Sequence, residues 1–216
     1  MLAAFFAVVL WPFVRIDTLR LGVALRHTTA VVIANHRSFF DVPMALVAFH
    51  RLKRYPRVLV ASHWFDRFGT GQLLRLAGAI PLDRDDPSVH LDAARQVLDA
   101  GVPILILPEG GLHGEPGEPT STGEFKTGAA RLALHCDAGV WPLAHVGTDD
   151  VWPKGARFPR LNPFRRRRVL LLGGEKLLEV VEDPRAASRD LRSSIVELLE
   201  EAVEIRDGGA DAPSFS

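Results

Sequence analysis

The residues with the most chemical potential stand in one turn. The stretch "VVIANHRSFFDVPMAL" (31–46) is an apolar run that breaks into Asn35-His36, with Asp41 five positions further on. An imidazole at a strand end can face a cleft. An Asp near a helix start is held as the anion by backbone N–H groups and the helix dipole. If the turn folds back, its carboxylate can accept a hydrogen bond from one ring nitrogen of His36. That fixes the tautomer and leaves the other nitrogen as a base. Such a pair needs no enzymic serine if the nucleophile is a substrate hydroxyl. The base removes the proton as oxygen attacks an activated acyl carbon. The plainer alternative is an N-cap beside an ordinary turn histidine, and spacing alone does not decide between the two.

Other turns carry groups of the same kind. Glu109 ends the apolar run "VPILILPEG" (102–110) beside Gly110 and Gly111. Glycines permit close backbone approach, and their N–H groups can bind an oxyanion or a phosphate. Glu109 either holds a substrate hydroxyl or braces the turn. Arg84, in "PLDRDD", is either part of a surface ion-pair cluster or a phosphate clamp, since Arg meets phosphate with a bidentate fork. Lys126, in "EFKTGAARLA", precedes a helix start, where anions are favoured.

The elements that must position these groups read as alternating strands and helices. Strands are expected at 30–35, 57–62, 79–84, 102–110, "VWPLAHVG" and "RRVLLLGGE". Helices are expected at "DVPMALVAFHRL", "FGTGQLLRLAG", "PSVHLDAARQVLDAG" and "GAARLALHCDAG", with a long closing helix from Asp183. Pro43 falls in a first turn, where proline is tolerated. Near-continuous apolar strands separated by helices predict a sheet covered on both faces. Sites in such sheets gather where strands end in loops. The turns "ANHRSFFD", "PLDRDD" and "LPEGGLHG" are therefore expected to meet. "GLHGEPGEPTSTGEFKTG" reads as a long exposed loop of the kind that carries function.

Composition narrows the class. The chain has 216 residues, 47% hydrophobic and 24% charged, enough for one domain with a full core. Lys+Arg and Asp+Glu are both 26, so net charge gives no argument for a nucleic-acid partner. The segment "RFPRLNPFRRRRV" (157–169) is strongly basic, while "VELLEEAVE" near the end is acidic. A single cysteine, Cys136, excludes an intrachain disulfide framework and a Cys-based zinc site, and the eight histidines lack ligand spacing, so no metal is expected. The opening "MLAAFFAVVLWPFVR" is apolar as far as Val14, short of the roughly 20 residues of a spanning helix. Trp11 and Arg15 suit a membrane interface. We expect a short membrane-associating helix dipping into one leaflet, against the alternative of a helix packed on the core or a partner. The expected division is an apolar segment at 1–24, a catalytic domain at 25–207 and a disordered tail at 208–216.

Taken in order, these motifs resemble those of the 1-acylglycerol-3-phosphate O-acyltransferase family of glycerolipid acyltransferases. That family carries Asn-His, four residues, then Asp, here "NHRSFFD". A Gly-x-Ile strand leads to an Arg, here "GAIPLDR". A Pro-Glu-Gly turn precedes a Phe-Lys-x-Gly-Ala helix start, here "LPEGG" and "FKTGAARLA". A proline-bearing strand follows, here "GVWPLAHVG" with Pro142. The resemblance covers roughly residues 25 to 205.

It implies an α/β fold with a mixed, mostly parallel central sheet flanked by helices. It implies His36 as general base and Asp41 as its orienting partner, with Asn35, Arg84, Glu109, Gly110, Gly111 and Lys126 on the substrate side. The donor is an acyl thioester, acyl-CoA or acyl-carrier protein, with no cofactor. The acceptor is a lysophospholipid, foremost 1-acylglycerol-3-phosphate, in phospholipid biosynthesis. The implied location is the cytoplasmic face of the membrane, peripheral or monotopic, with Arg165 to Arg168 touching anionic headgroups or pairing within their own strand. Another membrane alcohol, such as a glycolipid, or a non-catalytic lipid-binding protein on the same fold are the competing readings. One departure stands out. The family's third motif continues Thr-Arg-Ser, whereas here Gly111, Leu112 and His113 follow Gly110. Lys126 or His113 then replaces that phosphate-facing Arg, or the acceptor lacks a phosphate monoester.

Overall fold

A computed structural model describes residues 2–21, 29–82, 87–115, 117–180 and 182–208. Seven strands form one sheet: β1 (Val14–Leu19), β2 (Val31–Ala34), β3 (Arg57–Ala61), β4 (Ile80–Leu82), β5 (Ile104–Ile106), β6 (Val140–Val146) and β7 (Arg167–Gly173). Their spatial order is β1-β7-β6-β2-β5-β3-β4. Neighbours run parallel except β6 and β7. The expected mixed, mostly parallel sheet is thus observed.

Alternation along each strand assigns the layers. Val31 and Ile33 of β2 and Ile104 and Ile106 of β5 face a core closed by helices α4 (Pro87–Asp99), α5 (Gly128–Cys136) and α7 (Pro184–Gly208). Val32, Ala34 and Leu105 face the opposite core, closed by α1 (Leu2–Leu10) and α2 (Asp41–Arg51). Both faces being covered, the central strands read as unbroken apolar runs. Two shorter α-helices, α3 (Thr70–Leu76) and α6 (Thr148–Val151), are the remaining α-helices among the described residues. Helix α2 buries Asp41, Met44, Val47 and Ala48 on one stripe, the spacing of an amphipathic helix.

The described part of the expected 1–24 segment, residues 2–21, does not stand apart from the sheet. Val14–Leu19 inside it is the edge strand β1, registered from Val14↔Arg167 to Leu19↔Leu172. "VRIDTL" alternates apolar and polar residues, the period of a half-buried strand. Val14 and Ile16 are buried in the core, while Arg15 and Asp17 bond to each other at 2.8 Å. Helix α1 packs on α2, with Leu10 buried and Phe5, Val8 and Trp11 exposed. No described helix is long and apolar enough to cross a membrane. Of the basic run, Arg168 pairs with Asp17 at 2.8 Å, as one of the two alternatives required. Residues 209–216 of the expected tail lie outside the described residues.

The parallel strands β2, β3, β4, β5 and β6 all end on the same edge of the sheet. The turns after β2, β5 and β6 therefore share one neighbourhood, because those three strands are adjacent.

Candidate active site

Asp41 is the first residue of α2, but its carboxylate does not cap that helix. It turns back on the preceding loop. Oδ2 accepts from Arg37 N–H (2.9 Å) and Ser38 N–H (3.0 Å) and lies 2.8 Å from His36 Nδ1. An ionised carboxylate only accepts, so Nδ1 of His36 carries the proton and Nε2 keeps its lone pair. The other carboxylate oxygen, Oδ1, is buried and has no hydrogen-bond partner among the described residues. Burial pushes the Asp41 carboxyl up. The imidazole of His145, then the bond and charge of His36, pull it down further, and it sits below its ordinary value. Asp41 is the anion that the base assignment needs.

Asn35 does something other than touch substrate. It is fully buried, its amide N–H donates to His145 O (3.0 Å), and its oxygen accepts from His145 N–H (2.9 Å). This two-way bond clamps the end of β2 to the end of β6 and so fixes where His36 begins. Glu109 is likewise buried, and both its oxygens are engaged. Oε1 accepts from His36 N–H (2.8 Å) and Oε2 from Gly123 N–H (2.9 Å). Of the two roles open to Glu109, the geometry is that of a brace: it holds the catalytic turn against the long loop.

Gly110 has a positive φ of 68°, and its N–H closes the turn on Leu107 O. A Cβ there would lie 2.5 Å from Lys126 Nζ. Glycine is thus required both for the turn and for the lysine laid across it. Gly111 N–H has no protein acceptor among the described residues. A cleft of about 460 Å³ opens here, lined by Glu109, Gly110, His113, Gly123, Phe125 and Lys126, with Glu124 on its wall. Lys126 N–H bonds Pro108 O (2.9 Å), tying the start of α5 to the same turn. His113 N–H bonds His36 O (2.8 Å), and its ring lies so close to Gly123 that a Cβ there would fall 2.6 Å away.

The turns after β2 and β5 therefore meet, as expected. Arg84 and the rest of "DRDD" (83–86) lie outside the described residues.

Two residues were missed from the sequence. His145, buried at the end of β6, places Nε2 2.7 Å from Asn35 O and 3.6 Å from Asp41 Oδ2. A histidine closing the otherwise apolar run "VWPLAHVG" was the available signal. Arg37 was passed over because it sits between the two recognised residues. Its buried guanidinium donates to Asp149 Oδ2 (2.9 Å), Ser121 O (2.7 Å) and Glu118 O (3.1 Å). It gathers the Gly- and Pro-rich loop against the catalytic turn.

Comparison with known proteins bears on this geometry. An acyltransferase family model matches residues 20–146, more than half of the chain. Over 151 residues the chain is 27% identical to the chloroplastic 1-acyl-sn-glycerol-3-phosphate acyltransferase LPAT1 of Arabidopsis thaliana, covering 68% of this chain and 40% of that protein. Over 153 residues it is 28% identical to the 1-acyl-sn-glycerol-3-phosphate acyltransferase of Cocos nucifera, covering 66% of this chain and 46% of that one. The chain spans less than half the length of these curated relatives. The crystal structure of the 1-acyl-sn-glycerophosphate acyltransferase PlsC from Thermotoga maritima has a TM-score of 0.72 at 19% identity, covering 99% of this chain and 80% of that chain. At that identity the likeness is one of fold.

Proposed function

The chain belongs to the acyltransferase family, and on that premise we propose that it transfers a fatty acyl group from a thioester to a hydroxyl of a lysophospholipid, foremost 1-acylglycerol-3-phosphate. The observation that carries this reading is the His36–Asp41 pair, which leaves Nε2 as a base on a residue whose backbone is bonded to Glu109 and His113 of the cleft. The acceptor hydroxyl attacks the thioester carbonyl while Nε2 takes its proton. A C–O bond forms, the C–S bond breaks, and the proton passes from His36 to the departing thiolate. Gly111 N–H is the free donor for the anionic oxygen or the phosphate. Lys126 supplies positive charge at the cleft, and His113 stands where the family places part of its Thr-Arg-Ser sequence. Acyl-CoA or acyl-carrier protein is the donor, as co-substrate, and no cofactor is invoked. The enzyme works at the cytoplasmic face of a membrane, held there peripherally or monotopically by α1 and the turn after it, where Phe5, Val8 and Trp11 are exposed.

A second reading is supported by Gly111 and Leu112, which replace the family's Thr and Arg: the acceptor is a membrane alcohol without a phosphate monoester. One assay separates the two. Free-thiol release from acyl-CoA is followed with a panel of acceptors, phosphorylated and not. The first reading expects turnover on 1-acylglycerol-3-phosphate, loss of about 10²–10⁴-fold in His36→Ala, and a raised acceptor KM with little change in kcat in Lys126→Ala. Full transfer by His36→Ala defeats the base assignment. Equal use of acceptors lacking phosphate selects the second reading.

A further inference from the structure

The loop between α6 and β7 has an unusual surface. Residues 152–168 contain Lys154, Arg157, Arg160 and Arg165 to Arg168, and no acid. Phe158 is 70% exposed and Phe164 98%, with Leu161 beside them also open to solvent. Soluble surfaces scatter single exposed apolar residues but seldom gather them. Lys154, Arg157, Arg160 and Arg165 have no carboxylate partner among the described residues.

This loop is joined to the turn and strand that follow α1 and to the catalytic turn. The Arg166 guanidinium lies over the Trp11 ring at 5.3 Å and donates to Val14 O at 3.2 Å. Arg167 N–H bonds Phe13 O at 2.9 Å. At the loop's other end, Ser38 Oγ donates to Trp152 O at 2.7 Å, and the Phe39 and Trp152 rings stand 5.9 Å apart. Ser38 and Phe39 lie within "NHRSFFD". Phe39 and Val42 are themselves about half exposed. Exposed apolar side chains thus run over three elements that touch one another.

We propose that the 157–166 loop is a second membrane-contacting element, which seats the face carrying α1 and the catalytic turn on a bilayer rich in anionic lipid. The charge pattern selects this occupant. Arginines beside aromatic tips match a surface that is anionic at the headgroups and apolar just beneath, and Arg157 already lies over Phe158 at 5.4 Å. A nucleic acid would use the arginines but leave the aliphatic Val8 and Val42 without a role. The contacts of Ser38 and Phe39 with Trp152 fix the loop's height relative to His36, so a lipid acceptor leaving the bilayer meets the base directly.

The inference extends the reading of an enzyme with a lipid acceptor, and its test needs no acyl transfer. The full chain is sedimented with vesicles of phosphatidylcholine, or of equal parts phosphatidylcholine and phosphatidylglycerol. Wild type is expected to bind the anionic vesicles more tightly. Phe158→Ser with Phe164→Ser should weaken binding about tenfold or more, since an inserted Phe contributes at least that much. Gln at Arg157, Arg160 and Arg165 should cost about 5-fold per charge on anionic vesicles and little on neutral ones. All these side chains are exposed, so unfolding midpoints should stay at the wild-type value. The proposal is overturned if both variants bind anionic vesicles as wild type does, or if wild type shows no preference for anionic lipid. It is also overturned if the arginine variant loses affinity for duplex DNA while keeping its vesicle binding. Loss of vesicle binding in both variants supports it whether or not the acyl-transfer reading survives.

Discussion

Replacing Asp41 with Asn tests the site at its most constrained atom. Oδ2 accepts from three donors, and two of them, Arg37 N–H and Ser38 N–H, belong to a fixed backbone turn. An amide has one oxygen. If its NH₂ faced those donors, two N–H groups would oppose it, so the oxygen must occupy the Oδ2 position. The NH₂ then takes the buried place of Oδ1, where the Thr148 hydroxyl is the side chain that can accept from it. The His36 ring keeps its bond and its tautomer, and only the negative charge is removed. That charge matters when His36 becomes an imidazolium in the transition state. Two unit charges about 4 Å apart interact by about 4 kcal/mol at an effective dielectric of about 20. At about 1.4 kcal/mol per decade this is a fall in kcat of about 10³-fold, with acceptor KM little changed. The assay is thiol release under saturating donor, paired with urea unfolding. Asp41→Ala is the control: it strands three donors and should lose stability by about 1–3 kcal/mol for each buried N–H left unsatisfied. A loss of less than tenfold in the Asp41→Asn variant, fully folded at the assay pH, would refute the electrostatic role. Equal destabilisation of the Asn and Ala variants would make Asp41 a structural residue only.

The remaining expectations concern the frame around this pair. Glu109→Gln keeps one acceptor but turns an NH₂ toward His36 N–H or Gly123 N–H. It should cost about 1–3 kcal/mol, or about 2–4 °C in Tm per kcal/mol, and lower kcat; an unchanged Tm would show that the brace is not needed. Arg37→Leu removes the guanidinium that gathers Ser121, Glu118 and Asp149. Asp149 is partly exposed, so the loss should fall short of a fully buried pair, at about 2 kcal/mol, with faster proteolysis within 114–122; an unaltered cleavage rate argues against the latch. The depressed Asp41 carboxyl also sets a pH dependence. A lowered folded-state value adds stability that is fully present above the ordinary carboxyl value of about 3.9 and is lost as pH falls through the lower folded value. The stability gap between wild type and Asp41→Asn, followed by urea unfolding, should therefore be constant above about pH 5 and close on acidification; a gap that widens on acidification contradicts the linkage.

Much of this protein is local in origin. Continuous apolar runs such as "VVIA" and "ILI" determine strands buried on both faces, and the stripe Met44, Val47, Ala48 determines the buried side of α2. The order of "NHRSFFD", "LPEGG" and "FKTGAARLA" determined the family; the five-residue step from His36 to Asp41 permitted the pairing without deciding it. Strand β1 was legible in "VRIDTL" but was masked by the apolar stretch before it, which drew the segment's reading toward lipid. The tertiary structure decided which polar groups face inward. Asn35 and Glu109 have residue types that fit substrate contact equally well. They became braces because β6 and Gly123, far away in sequence, bring backbone groups to them. His145 and Arg37 acquire roles for the same reason: a hydrogen bond needs a partner at about 3 Å, and only the sheet order β6-β2-β5 supplies those partners. Sequence names the groups that can react, whereas long-range packing decides which of them remain free to do so.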